Sequence, residues 1–175
     1  MANEPRQKFR IKPRDIVLVS LMSAILLAAQ VMLVVLPNVE LVSMLVIVYT
    51  LTLGWRIYFI LGIFILIEGL IYGFGAWWIC YLYIWLILVL AVKLLRRIID
   101  TPFMWACVSG IYGLIFGALC SITYLFIGGP GYALSYWISG LPLDLVHCIA
   151  NFGITLVLIG PMTKLMKKLV KVHDD

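Results

Sequence analysis

The sequence predicts an all-α integral membrane protein of six transmembrane helices with both termini in the cytoplasm. Three observations predict it. The 175-residue chain is 65% hydrophobic and only 12% charged, with a mean hydropathy of +1.13. No soluble globular domain has that balance. Six apolar stretches follow one another, separated by short breaks. All thirteen Lys and Arg residues fall in positions that one side of a membrane can hold, and the positive-inside rule makes that side cytoplasmic.

Helix 1 is expected over about Ile16–Leu36, after the basic cluster Arg6, Lys8, Arg10, Lys12 and Arg14. The basic start followed by an apolar run resembles a signal peptide. The apolar run nevertheless continues past Ala28–Ala29 for a length that spans a bilayer, so an uncleaved helix is expected. Pro37–Asn38 reads as a short outer turn. Helix 2, about Val39–Leu53, is short for a bilayer core of roughly 30 Å. Gly54–Trp55–Arg56 reads as an inner turn, and helix 3 covers about Ile57–Tyr72, leaving through Gly73–Phe74–Gly75. Helix 4, about Ala76–Leu95, ends inside among Lys93, Arg96 and Arg97. Thr101 is positioned to cap helix 5 ahead of Pro102, and that helix covers about Phe103–Ile127.

The longest outer connection is expected from Gly128–Gly129–Pro130–Gly131 to Gly140–Leu141–Pro142, a flexible lid rich in Gly and aromatics. Helix 6 covers about Leu143–Leu165 and ends among Lys164, Lys167, Lys168 and Lys171, with Pro161 loosening its last turn. No internal repeat is visible. Six spans use nearly the whole chain, so no soluble enzymatic or nucleotide-binding domain is expected. The net charge of +5 reads as orientation and lipid-headgroup contact rather than nucleic-acid binding.

The few polar residues within the spans gather toward the outer face. Glu40 opens helix 2, Glu68 lies in the outer half of helix 3, and Asp144, His147 and Asn151 lie in the outer half of helix 6. Ionisable groups inside a bilayer are costly and face a cavity or a partner. The spacing of Asp144, His147 and Asn151 puts them within about 60° on one helical face. That stripe suits a ligand-facing triad or, alternatively, a structural network between helices. Glu68 and Tyr72 share a face of helix 3, and Trp78, Tyr81 and Trp85 share a face of helix 4. These aromatics fit either an interfacial belt or a pocket stacking a flat ring, and Trp77 is open to the same two readings. Tyr132, Tyr136 and Trp137 in the lid are candidates to close over such a pocket. The outer half carries acids and no Lys or Arg, which suits a cationic or hydrogen-bonding heterocycle.

Cys80, Cys107, Cys120 and Cys148 form no CxxC pair and read as small buried hydrophobes. No HExxH or GxSG pattern is present, and no metal or cofactor is expected. Helix 5 carries a small-residue row, Ala106, Gly110, Gly113, Gly117 and Ser121, assigned to packing inside the bundle. Helix 1 carries another, Ser20, Ala24 and Ala28.

Ala24-Ile25-Leu26-Leu27-Ala28 and the segment from Gly140 through Asp144 and His147 to Asn151-Phe152 resemble sequences of the substrate-binding (S) components of energy-coupling factor (ECF) transporters. The similarity extends over nearly the whole chain. It implies a subunit that binds a vitamin or related micronutrient at the outer side of a prokaryotic cell membrane. It also implies partners, a membrane coupling protein and two cytoplasmic ATPases, with Ala24 and Ala28 as the coupling-protein contact. Geometry and chemistry nominate Glu40, Glu68, Tyr72, Trp78, Tyr81, Asp144, His147 and Asn151 as substrate-binding residues. A thiamine- or pyridoxine-type solute fits the charge balance. Two alternatives stand beside this reading: a small membrane enzyme using Asp144 and His147 as an acid–base pair, and a membrane assembly protein without a small ligand.

Overall fold

The structure is a computed structural model that describes residues 12–174. Arg6, Lys8 and Arg10 lie outside the described residues, as does the side chain of His173. The described residues form helices joined by short connections, with no strand among them: α1 Pro13–Met32, α2 Val42–Leu53, α3 Arg56–Tyr72, α4 Ala76–Leu95 and α5 Pro102–Asp174. α1, α4 and α5 contain windows long and apolar enough to cross a membrane.

α5 is two helical arms. Gly129 interrupts its backbone with φ 79° and ψ −178°, a conformation that glycine adopts without a Cβ clash. The second arm then begins at Pro130, where a missing N–H costs nothing. The arms run antiparallel along each other. Near the tip Tyr124 stacks on Tyr136 with centroids 4.0 Å apart. Further down, the Gly117 N–H donates to Asp144 Oδ1 at 3.1 Å, and the Thr155 hydroxyl donates to Ser109 Oγ at 2.8 Å. The glycine row of the first arm makes this approach possible. A Cβ on Gly113 would lie 2.8 Å from the His147 carbonyl oxygen, and one on Gly110 3.2 Å from Phe152 Cβ.

Several sequence-derived boundaries move. α1 ends four residues early, at Met32, and a connection of turns runs from Leu33 to Leu41. Pro37 accounts for part of this, because the residue before a proline is driven out of the helical region, and Asn38 takes φ 56°. α2 begins at Val42 rather than Val39, and at 12 residues it is only about 18 Å long. Arg56 is the first residue of α3 rather than part of the turn. The segment expected as a flexible lid is helix from Pro130 onward. With Gly129 alone reversing the chain, the residues after it are free to continue a helix that packs on the first arm. Helix 6, expected to end near Leu165 with Pro161 loosening its last turn, runs on to Asp174 with Pro161 well inside it. Thr101 caps as expected, its hydroxyl accepting the Met104 N–H at 3.3 Å.

Packing is apolar with a few ties through buried hydroxyls. Leu26, Val46, Ile47, Ile57, Ile60, Phe64, Ile84 and Leu88 are wholly buried. The Ser23 hydroxyl donates to the Val19 carbonyl of its own helix at 2.8 Å and shares that proton with the Ile60 carbonyl at 3.3 Å, where α1 meets α3. Tyr83 donates to the Leu119 carbonyl at 2.8 Å and Tyr112 to that of Ile84 at 3.0 Å, joining α4 to the first arm of α5. Such bonds matter where no water is present to satisfy a hydroxyl.

Charge is separated along the bundle. The Arg56 guanidinium pairs with Asp15 at 2.8 Å, and Lys93 Nζ donates to the Tyr58 hydroxyl at 2.9 Å. Those contacts bring the starts of α1 and α3 to the end of α4. Asp100, Trp105 and Lys164 line one cavity with Leu51, which adds the end of α2 and the two distal parts of α5. Every described Lys and Arg therefore belongs to one end of the bundle. The opposite end holds Glu40, Glu68, Asp144 and His147.

Candidate functional site

The base-free end is built around the α1–α2 connection. Asn38, in its left-handed conformation, donates from Nδ2 to the Leu143 carbonyl at 3.0 Å, which anchors the connection to the second arm of α5. Two residues on, Glu40 uses both carboxylate oxygens. Oε2 accepts the Ser43 N–H at 2.8 Å, capping the start of α2 where the helix dipole favours an anion. Oε1 lies 3.2 Å from His147 Nε2. Burial raises the carboxyl pKa of Glu40, but the bonds and charge from His147 and the bonds from Ser43 outweigh it, and the net direction is downward. Residues at positions 40 and 147, from opposite ends of the chain, thus form the polar floor of a cavity.

That cavity measures about 280 Å³, and its walls include Gln30, Asn38, Glu40, Tyr81, Trp85, Phe116 and His147. The Phe116 ring meets the imidazole edge-on, with centroids 4.9 Å apart. Tyr81 stands edge-on to Trp85 at 5.5 Å and to Trp77 at 5.3 Å. Two further cavities adjoin it. One of about 200 Å³ shares Gln30, Val34 and Tyr81 and adds Glu68, Tyr72 and Trp77. The other, about 500 Å³, shares Asn38 and Phe116 and adds Asp144, Tyr132, Ser135, Tyr136 and Ser139.

Buried polar atoms without a hydrogen-bond partner mark the same region. They are Ser43 Oγ, Glu68 Oε1, Trp85 Nε1, Asp144 Oδ2, His147 Nδ1 and Asn151 Nδ2. Native interiors leave few such atoms, because each carries a desolvation cost of about 1–3 kcal/mol. Here four of the residues concerned, Glu68, Trp85, Asp144 and His147, line the cavities.

The sequence-nominated residues divide accordingly. Glu40, His147 and Tyr81 meet in the central cavity, Glu68 and Tyr72 flank it on one side, and Asp144 flanks it on the other. Asn151 is 1% exposed and lies one helical turn below His147, but lines none of these cavities. Trp78 does not line them either. Its indole N–H donates to the Ile65 carbonyl at 2.9 Å and its ring packs against Phe74, so it fastens α4 to α3, and Trp77 and Trp85 take its place in the walls. Tyr132 and Tyr136 line the third cavity while packed on Tyr124. Trp137 lines none of these three cavities.

Gln30, Asn38 and Phe116 were missed by the sequence reading. Gln30 had a signal, since it is an amide near the outer end of an otherwise apolar helix. Phe116 had none, because one phenylalanine among apolar residues carries no mark of the imidazole it touches. Ser20, Ala24 and Ala28 are exposed on the outside of α1, while the glycine row of α5 packs inside, as its sequence reading expected. Cys80 and Cys120 are buried, Cys107 and Cys148 half-buried, and all are free thiols. Among the described residues no group of His, Cys, Asp and Glu is arranged to hold a metal ion. The chain matches no family model, no curated protein and no solved structure.

Proposed function

We propose that this protein is the substrate-binding subunit of an ATP-driven ECF-type importer in a prokaryotic plasma membrane. It crosses the bilayer six times, counting the two arms of α5 separately, with both termini in the cytoplasm. In this reading it captures a vitamin or related small heterocycle at the outer side, and a membrane coupling protein and two cytoplasmic ATPases drive its release inside. The observation that carries the reading is the set of buried, unpartnered polar atoms on Glu68, Trp85, Asp144 and His147, residues that line adjoining cavities at the base-free end. A solute would satisfy those atoms. The aromatic walls suit a flat ring, and the lack of Lys and Arg suits a cationic or neutral solute of thiamine or pyridoxine type. The exposed Ala24 and Ala28 offer a partner helix a close approach on the outside of α1.

The test is native mass spectrometry of the purified protein. The expected result is a retained small heterocycle, and copurification of a coupling protein with ATPases on coexpression. Absence of any small ligand, with no stabilisation in a solute screen, would overturn the proposal in favour of an assembly protein. An enzymatic reading has less support, because His147 bonds to Glu40 and not to Asp144.

A further inference from the structure

The solute site is divided into two chambers of different chemistry, and the division specifies the shape of the solute. The central chamber, about 280 Å³, is aromatic, with Tyr81, Trp85 and Phe116 around the His147–Glu40 pair. Its spare hydrogen-bonding atoms are Trp85 Nε1 and His147 Nδ1, positions that suit the edge of a heteroaromatic ring. The second chamber, about 500 Å³, is lined with hydroxyls. Tyr132, Ser135, Tyr136 and Ser139 repeat at helical spacing on one face of the second arm of α5, and that face looks onto Asp144. Asn38 and Phe116 belong to both chambers. Asp144 and His147, three residues apart, stand about 4.5 Å apart along the helix axis.

Asp144 is the residue that sets the second chamber's preference. It is 3% exposed. Oδ1 accepts the Gly117 N–H at 3.1 Å, whereas Oδ2 has no partner. The neighbouring imidazole is engaged by Glu40 at 3.2 Å, and no Lys or Arg lines either chamber. A buried carboxylate oxygen without a donor, in a chamber otherwise supplied with hydroxyl oxygens, is complementary to an ammonium group. A protonated amine has three donors to place, and Asp144 Oδ2, Ser135 and Ser139 offer acceptors in one chamber.

We infer that the solute is a heteroaromatic ring bearing a short protonated amine arm, with the ring held between Tyr81, Trp85, Phe116 and His147 and the ammonium against Asp144. This rests on the reading of the chain as a solute-binding subunit and narrows its substrate class.

Matched probe series test it. Each keeps one ring and varies the arm: pyridoxamine, pyridoxine and 4-pyridoxate; tryptamine, tryptophol and indole-3-acetate; and the aminomethyl, hydroxymethyl and carboxyl forms of 4-amino-2-methylpyrimidine. Affinity is measured by calorimetry on the detergent-solubilised full chain. In at least one series the amine binds about tenfold or more tighter than the neutral member, and Asp144→Asn removes that preference by weakening the amine far more than the neutral member. If Asp144→Asn is too unstable to assay, the double variant Ser135→Ala, Ser139→Ala, on an exposed helical face, reads the same chamber and should weaken the amine selectively. Equal or tighter binding of the neutral or anionic member in every series that binds overturns the inference, as does a preference that survives Asp144→Asn or the double serine variant. Failure of every series also overturns it. In that case a different small molecule retained through purification leaves the solute-binding reading standing, and the absence of any defeats both.

Discussion

Gly113→Ala is the sharpest probe of how the bundle sets its site. The added Cβ would meet the His147 carbonyl oxygen at 2.8 Å, the His147 carbonyl carbon at 2.9 Å and the Cys148 nitrogen at 3.0 Å. All three are backbone atoms, so no side chain can rotate away. Ordinary contact between such atoms is about 3.5 Å or more, and the two arms of α5 must separate by roughly 0.5–0.7 Å. The His147–Glu40 bond is already 3.2 Å long and does not survive that displacement, since a side-chain hydrogen bond is lost near 3.6 Å. Overpacking costs about 1–3 kcal/mol, and a hydrogen bond to a charged group contributes about 1.5–3 kcal/mol. The helix gains about 0.5–1 kcal/mol from replacing glycine. The net loss is about 1.5–5.5 kcal/mol, a fall in Tm of roughly 3–22 °C for a chain of this size. Gly153→Ala is the control, because a Cβ there meets nothing within 4 Å, and it should be neutral or slightly stabilising. Thermal unfolding in detergent, followed by tryptophan fluorescence, reads both. Equal melting temperatures for the two variants would refute the packing argument, and unchanged solute affinity in Gly113→Ala would refute its link to the His147–Glu40 pair.

Four further outcomes are expected. Ala24→Trp and Ala28→Trp, on the exposed face of α1, should abolish uptake and copurification of the coupling protein while solute affinity stays at the wild-type value. In a cysteine-free background, Ser139→Cys should react with an impermeant maleimide from outside intact cells, and Asp100→Cys only after permeabilisation; the reverse pattern would invert the assigned orientation. Thr101→Ala removes the cap on the Met104 N–H and should cost about 1 kcal/mol, read as a small fall in Tm without loss of binding. Acid titration should weaken the Glu40 contacts. Because the folded-state pKa of Glu40 lies below its ordinary value of 4.5, their contribution is present above pH 4.5 and is lost as pH falls through the lower folded value. Glu40→Gln should remove that acid-limb dependence from the melting curve.

Much of the architecture was legible in the sequence because its signals are local or cumulative. The apolar stretches and the clustering of Lys and Arg report the solvent each segment meets. Thr101 before Pro102 is a capping pattern readable within a few residues, and the glycine row of α5 repeats once per helical turn, as a close helix contact requires. The stripe of Asp144, His147 and Asn151 was likewise visible as a period. The end of α1 and the helicity of residues 130–142 were not. A Gly- and Pro-containing segment reads as a loop when taken alone, yet it is stabilised as helix once Tyr132 and Tyr136 pack on Tyr124 across the hairpin.

The sequence by itself determined that the chain is helical and apolar, that its bases lie apart from Glu40, Glu68, Asp144 and His147, and which polar residues the spans contain. These follow from composition, charge order and helical period, each of which is a property of the chain before it folds. Tertiary structure alone decided which of those residues meet. Glu40 and His147 are 107 positions apart, and nothing local announces their pairing. It depends on Gly129 reversing α5, on the glycine row letting the two arms close, and on Asn38 fixing the α1–α2 connection against Leu143. Trp78 and Trp85 share a helical face and a chemistry, but one indole is held by the Ile65 carbonyl and the other is left unpartnered in the cavity wall. Side-chain chemistry names the candidates, and only packing determines which of their atoms remain unsatisfied.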